Sequence, residues 1–355
     1  MESDRELVIL IPALARRSQM AYGDRLSDSI ENYLETHREF IDSYRRVGCQ
    51  GVNRAQFDIR FRNGEHKVVD TFEVSWNDLR PEIRQSSIPL AGFLLIGYWL
   101  NARMFRSIPP TSRSMRRAFV LGVLFLLVWY GITLLAVAQF SQLFPVLFSK
   151  SFQTWVSWIW VFATALLASR YVNDGIDGSY TTYCYLKNRG GLRDRVRRRI
   201  ISAFWEVRER LASYSRITVL AHSFGSAVAV DAIADIATAA REEQPLHQLD
   251  LTIGSPLEYL TFREPTIMER IERCAASPIV TRWVDFYAST DSLCSKVPFG
   301  TDRKCFSEAI ELGYSELGLV SRKCGWSEAR GAFQVHDIER FLSLGRFGSR
   351  TLFSW

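Results

Sequence analysis

Residues 118–138 (AFVLGVLFLLVWYGITLLAVA) run for 21 positions without a charged residue or a proline. An α-helix needs roughly 20 apolar residues to cross a hydrocarbon core about 30 Å thick, so this stretch reads as a transmembrane helix. A second stretch, 152–168 (FQTWVSWIWVFATALLA), holds 17 uncharged residues. That is the lower limit for a span, and Trp155, Trp158 and Trp160 near its start suit a headgroup boundary. The thirteen residues 88–100 contain Pro89 and read as an interfacial or re-entrant helix in preference to a third crossing.

The charges around these stretches suggest a topology. Arg103, Arg106, Arg113, Arg116 and Arg117 precede the first stretch with no acid among them, whereas the connection between the two stretches carries only Lys150. The positive-inside rule then places both ends of a two-helix hairpin in the cytoplasm, so the chain is expected to be an integral membrane protein whose remaining mass faces the cytoplasm. A second basic block, 187–210, has nine Lys and Arg against Asp194, Glu206 and Glu209. The chain as a whole carries +6, so the residues outside the two blocks are net acidic. Basic patches beside apolar segments fit anionic headgroups of membrane lipids. No nucleic-acid motif accompanies them, and nucleic acid is not expected as a partner.

Six cysteines (Cys49, Cys184, Cys274, Cys294, Cys305 and Cys324) form no CxxC or CxxH pair. Neither a metal site nor a disulfide framework is indicated, in keeping with a reducing compartment, and no cofactor is implied. The N-terminal residues put acids before a short apolar run and offer no small-residue cleavage site, so they read as a strand and not as a signal peptide.

Outside the apolar region, strand and helix patterns alternate. Glu6 to Pro12 has the compact apolar run of a buried strand, and a helical stretch follows from about Asp24 to Arg46. Gln56 to Arg62 and His66 to Trp76 alternate in strand fashion around Asn63-Gly64, a hairpin-turn signal. Leu192, Val196, Ile200, Phe204, Val207 and Leu211 recur at helical spacing. Next come a buried strand at Ile217 to Ala221, a small-residue helix at Ala227 to Ala240, and strands at Leu249 to Ile253 and Trp283 to Tyr287. Strands separated by helices imply a mostly parallel sheet with helices on both faces. The expected organisation is a first part of this sheet domain at 1–87, a membrane insertion at 88–170 and the second part at 171–355. The strand ending at Trp76 should run parallel to the strand ending at Ala221, so the insertion leaves from the sheet edge where ligands bind in such folds.

The chemistry-bearing sequence is Arg216-Ile-Thr-Val-Leu-Ala-His-Ser-Phe-Gly-Ser226. It puts Ser223 between a buried strand and a helix, with Ala221 and Gly225 as the small residues that a sharp strand-to-helix turn needs. This is the arrangement of a nucleophile elbow, with alanine in place of the usual first glycine. Such a turn holds the hydroxyl at the sheet edge and aims a helix N-terminus at a developing oxyanion.

On these residues the chain resembles the α/β-hydrolase superfamily, especially its lipase and esterase branch. The resemblance implies an α/β-hydrolase-like fold, here interrupted by a two-helix transmembrane hairpin, and the chain order Ser, then Asp or Glu, then His. Asp291, on the loop after the Trp283 to Tyr287 strand, is the expected acid, with Asp285 in mid-strand as the reserve. Of the five histidines, only His336 follows the acid. The backbone N–H of Phe224 should supply one oxyanion donor. The second should come from the loop after the first strand, where Pro12 cannot donate and Ala13 or Leu14 is the candidate. His222, beside the nucleophile, is expected to pack and not to react.

Together these features suggest a membrane-anchored serine hydrolase that cleaves carboxylic esters, of membrane lipids above all, through an acyl-enzyme. A thioesterase or protein deacylase would use the same triad, and an inactive hydrolase acting as a membrane-anchored interaction module is the non-enzymatic alternative.

Overall fold

The computed structural model describes residues 4–14, 21–36, 38–48, 54–81, 98, 120, 124, 127, 128, 131, 155, 158, 170–210, 214–239, 249–252, 256–287, 297–299 and 306–311. Its strands are β1 (Asp4–Ile11), β2 (Ile41–Gly48), β3 (Arg54–Phe61), β4 (His66–Glu73), β5 (Arg216–Ala221), β6 (Leu249–Thr252), β7 (Val280–Tyr287) and β8 (Phe306–Glu311). They form one mixed sheet of eight strands in the order β2-β3-β4-β1-β5-β6-β7-β8. From β4 to β8 every neighbouring pair is parallel. The β2–β3 and β3–β4 pairs are antiparallel.

Burial shows why the two ends of the sheet differ. Glu6 to Ile11 of β1 and Ile217 to Ala221 of β5 are buried at every position. Successive strand residues point to opposite faces, so an unbroken run of buried residues means both faces are covered, as parallel strands require. In β3 only Ala55, Phe57, Ile59 and Phe61 are buried, every second residue, so one face is covered and the other is open. The β3–β4 hairpin closes at Gly64, whose φ of +87° needs a residue without a Cβ. Beside it, Asn63 Oδ1 accepts the Glu65 N–H at 3.0 Å.

The helices are α1 (Ala21–Thr36), α2 (Arg170–Leu186), α3 (Leu192–Arg210), α4 (Gly225–Ala239), α5 (Leu257–Arg263) and α6 (Thr266–Ala275). In α4, Ala227 to Val230 and Ala232 to Ala234 are all buried, so the helix is apolar nearly all round and lies inside the core. It touches β1 and β5 on one side and α3 and α6 on others. Small side chains let it approach these four neighbours closely. In α3, Leu192, Val196, Ile200 and Phe204 form the buried stripe at helical spacing.

Several expectations are corrected. The α/β character is present, but the expected fold interrupted by a two-helix transmembrane hairpin is not: among the described residues no helix is long and apolar enough to cross a membrane. The same finding removes the support for an integral membrane protein facing the cytoplasm. Most of 118–138 and 152–168 lies outside the described residues. The exceptions are single helical positions, of which Val120, Leu124, Leu127, Val128, Trp155 and Trp158 are each more than half exposed. An uncharged run reports a shared avoidance of water, and a continuous helix of spanning length is a separate requirement. Of the stretch 88–100, only Tyr98 is described. It packs edge-on against Tyr183 of α2, ring centroids 4.8 Å apart, with the Arg263 guanidinium 3.5 Å from its own centroid.

The helix expected from Asp24 to Arg46 ends at Thr36, and its second half is strand β2. In this edge strand Asp42, Ser43, Arg45 and Arg46 are exposed, and the apolar Ile41, Tyr44 and Val47 recur at every third position, so it lacks the alternation that marks a strand. It is tied to α1 by Tyr44 Oη donating to Glu35 and by Arg46 paired with Asp28 and Glu31.

The basic block at 187–210 also has internal partners. Arg193 pairs with Asp231, Arg197 with Asp194 and Asp235, and Arg199 with Asp78. These arginines seal α3 against α4 and the segment after β4.

Candidate active site

Ser223 sits where β5 ends and α4 begins, at the C-terminal edge of the parallel strands. Its φ is +53°, one of two non-glycine residues with positive φ among those described. A residue with a Cβ takes up this left-handed conformation at a cost on the order of 1 kcal/mol, and its neighbours have to hold it there. Those neighbours are identifiable. The His222 N–H bonds the Ile11 carbonyl at 3.1 Å, which ties the end of β5 to the end of β1. The Gly225 N–H closes the turn on the His222 carbonyl at 2.9 Å, and the Ser226 N–H bonds the Ser223 carbonyl at 3.0 Å. A Cβ on Gly225 would lie 2.6 Å from the carbonyl oxygens of both Ile11 and Pro12. The helix can begin so close to β1 only because residue 225 is glycine. Ala221, where the elbow pattern usually has glycine, is fully buried, and its methyl group is accommodated.

Phe224 follows the serine, and its ring is buried between two aromatic residues. Tyr185 of α2 meets it edge-on at 5.3 Å, and Trp76, just after β4, lies at 5.9 Å with a 47° tilt. Tyr185 Oη donates to Asp231 of α4 at 3.0 Å. Asp231 also receives two parallel bonds from Arg193, Nε at 2.6 Å and Nη2 at 2.7 Å, while Arg270 Nε lies 3.4 Å from its other oxygen. Burial, and then the Asp231 charge, push the Tyr185 hydroxyl well above the usual tyrosine range, so it stays a donor.

The loop after β1 faces this turn. The Trp76 indole Nε1–H donates to the Pro12 carbonyl at 3.1 Å, and Asn77 Nδ2 donates to the Ala13 carbonyl at 3.2 Å. On the loop's other flank, the Leu14 side chain comes within 3.2 Å of where a Cβ on Gly178 of α2 would be. Arg80 and Asp177 form a buried ion pair at 2.5 Å that joins the segment after β4 to α2. Both ends of the long insertion between β4 and α2 are therefore anchored beside the Pro12–Leu14 loop.

The structure thus brings together four of the site residues named from the sequence: Ser223, Phe224, Ala13 and Leu14. Asp291 and His336 lie outside the described residues. The reserve acid, Asp285, is fully buried in β7, where its Oδ2 accepts the Val297 N–H at 2.7 Å. His222 is buried, with 2% of its surface exposed. Among the described residues, no group of three or more His, Cys, Asp or Glu side chains is placed to hold a metal ion.

Sequence reasoning missed Trp76, Asn77, Tyr185 and Asp231. A signal existed for Asp231, which is one of two acids, with Asp235, on the otherwise apolar helix α4 and is flanked there by Val230 and Ala232. The other three act through contacts between residues far apart in sequence. No family model matches the chain, and neither a curated protein nor a solved structure matches it.

Proposed function

We propose that the chain is a serine hydrolase of carboxylic esters, similar to the α/β-hydrolase superfamily, with Ser223 as nucleophile, His336 as general base and Asp291 as its orienting acid. The observation that carries this reading is the left-handed backbone of Ser223 between a parallel strand and a helix that is packed against the end of β1 through Gly225. Strain of this kind at a strand-to-helix turn exposes a hydroxyl beside backbone N–H groups, the geometry that nucleophilic acyl transfer uses.

The sheet supports the rest of the triad through chain reach. Leu220, Thr252, Val284 and Glu308 stand at one level across β5, β6, β7 and β8. Ser223 is three residues past Leu220, and Tyr287 is three residues past Val284, so the chain leaves β7 at the level of the nucleophile. Two strand spacings separate β5 from β7, about 10 Å. The four residues from Tyr287 to Asp291 can span up to about 14 Å. His336 follows β8, the next parallel strand, with 25 residues of chain after Glu311. Asp285 is already engaged by the Val297 N–H inside the sheet, which favours Asp291 as the acid.

In this mechanism Ser223 Oγ attacks the acyl carbonyl carbon while neutral His336 takes its proton and Asp291 steadies the imidazolium. The carbonyl oxygen becomes an oxyanion facing the Phe224 N–H and one N–H of the Ala13–Leu14 loop. Collapse breaks the ester C–O bond, and His336 returns the proton to the departing alkoxide as an alcohol. Water then attacks the acyl-enzyme with His336 again as base, and release of the carboxylic acid restores the Ser223 hydroxyl. Lipid acyl esters are the proposed substrate class. The insertion leaves from the edge that holds Ser223, and the described positions on it at Val120, Leu124, Leu127, Val128, Trp155 and Trp158 are exposed and apolar.

The reading is tested by hydrolysis of p-nitrophenyl esters of graded acyl length and of a phospholipid. The expected result is turnover that rises with acyl length and falls at least about a thousandfold in Ser223→Ala. Equal turnover in wild type and variant contradicts it.

A further inference from the structure

We propose that Trp76 and Asn77 are positioning residues that set the second oxyanion donor by holding the Pro12 and Ala13 carbonyls. The inference rests on Ser223 being an acyl-transfer nucleophile.

A trans peptide is planar, and its C=O and N–H point in opposite directions. Anchoring the Pro12 carbonyl therefore fixes the direction of the Ala13 N–H, and anchoring the Ala13 carbonyl fixes that of the Leu14 N–H. Trp76 Nε1–H makes the first anchor at 3.1 Å and Asn77 Nδ2 the second at 3.2 Å. These two peptides supply the only donors the loop can offer at 12–14, because Pro12 has no N–H. An oxyanion hole works when its donors are oriented before the charge develops, and a loop free to rotate its peptide planes would spend transition-state stabilisation on that ordering.

Trp76 reaches both halves of the site. It is fully buried, its indole N–H holds the loop, and its ring packs against Phe224, whose backbone N–H is the first donor. Its own backbone is held too, because it follows Val74, whose N–H bonds the Leu10 carbonyl at 2.9 Å. Asn77 opens a short 3-10 turn, Asn77–Leu79, that leads to Arg80 and its ion pair with Asp177. The anchors thus stand on a segment fixed at both ends, against β1 before them and against α2 after them.

The test compares Trp76→Phe, which keeps an aromatic ring against Phe224 and removes the N–H, with Asn77→Asp, which keeps the shape and replaces the donor by an acceptor. Steady-state kinetics on a short acyl ester are measured with melting temperatures and with Ser223→Ala as control. The expected result is folded variants with kcat reduced at least about tenfold, KM changed less than about threefold, and a double variant that loses less than the product of the two single effects. Asn77→Gln, which restores an amide donor, should recover part of the lost kcat. Folded variants with kcat within about twofold of wild type overturn the inference. If Trp76→Phe fails to fold, Asn77→Asp and Asn77→Gln decide alone. Wild-type turnover that is unaffected by Ser223→Ala overturns the hydrolase reading itself, and the inference with it.

Discussion

The buried carboxylate of Asp231 accepts the hydroxyl hydrogen bond of Tyr185 at 3.0 Å, which joins α2 to α4 directly behind Phe224. Arg193 clamps the same carboxylate with two bonds, and its side chain is only 14% exposed. Removing one partner of such a pair leaves a poorly hydrated charge. Asp231→Ala is therefore expected to lower stability by about 3–5 kcal/mol. Tyr185→Phe deletes one hydrogen bond, keeps the ring contact with Phe224, and should cost about 1 kcal/mol. Urea titrations of both variants check the ranking. A loss below about 1 kcal/mol for Asp231→Ala would show that the cluster is not a structural clamp.

Gly225 and Gly64 separate two reasons for glycine. At Gly225 a methyl group would meet two backbone carbonyl oxygens at 2.6 Å, and neither can move without shifting β1. Gly225→Ala should cost more than about 2 kcal/mol, with loss of Ser223 reactivity even where the protein still folds. Gly64 has open space around it, and only its φ of +87° resists a side chain. Gly64→Ala should cost about 1 kcal/mol and leave reactivity intact. Denaturant midpoints and p-nitrophenyl ester hydrolysis by the two variants provide the comparison.

Glu73, at the end of β4, is pushed up to about 7 by burial, against the lowering effect of the Gly23 N–H bond at 2.7 Å and with Asp24 adding to the rise. A carboxyl raised from 4.5 binds more protons in the folded chain than in the unfolded one between these two values. Its contribution to stability is therefore fully present below about pH 4.5 and is lost as pH rises to about 7, a swing on the order of 3 kcal/mol. Glu73→Gln keeps an acceptor for the Gly23 N–H and cannot titrate. Stability measured from pH 4.5 to pH 7.5 should fall more steeply in wild type than in this variant; parallel curves would refute the assignment.

Much of the site's scaffold was legible locally. The unbroken apolar run of β5, the small residues Ala221 and Gly225, and the alanine-rich α4 state in one contiguous segment that a buried strand turns sharply into a core helix. Asn63-Gly64 announced its hairpin for the same reason. What failed was information not held locally. Strand β2 pairs along the sheet edge with charged side chains, so its periodicity resembled the end of α1. The length, apolarity and flanking arginines of 118–138 point to a spanning helix, but whether a continuous helix forms is not written in those properties, and none of the described helices is long and apolar enough to span. The contacts of Trp76 with Pro12 and of Tyr185 with Asp231 join residues 64 and 46 positions apart, and no sequence window contains them.

Covalent labelling by a fluorophosphonate ester reports on the nucleophile itself, because the probe phosphonylates an activated serine Oγ with loss of fluoride and needs no knowledge of the natural substrate. The expected result is one adduct per chain, mapped by mass spectrometry to Ser223, absent from Ser223→Ala and slowed strongly in His336→Ala and Asp291→Ala. No adduct on Ser223 in folded wild-type protein, or equal labelling of wild type and Ser223→Ala, would contradict it.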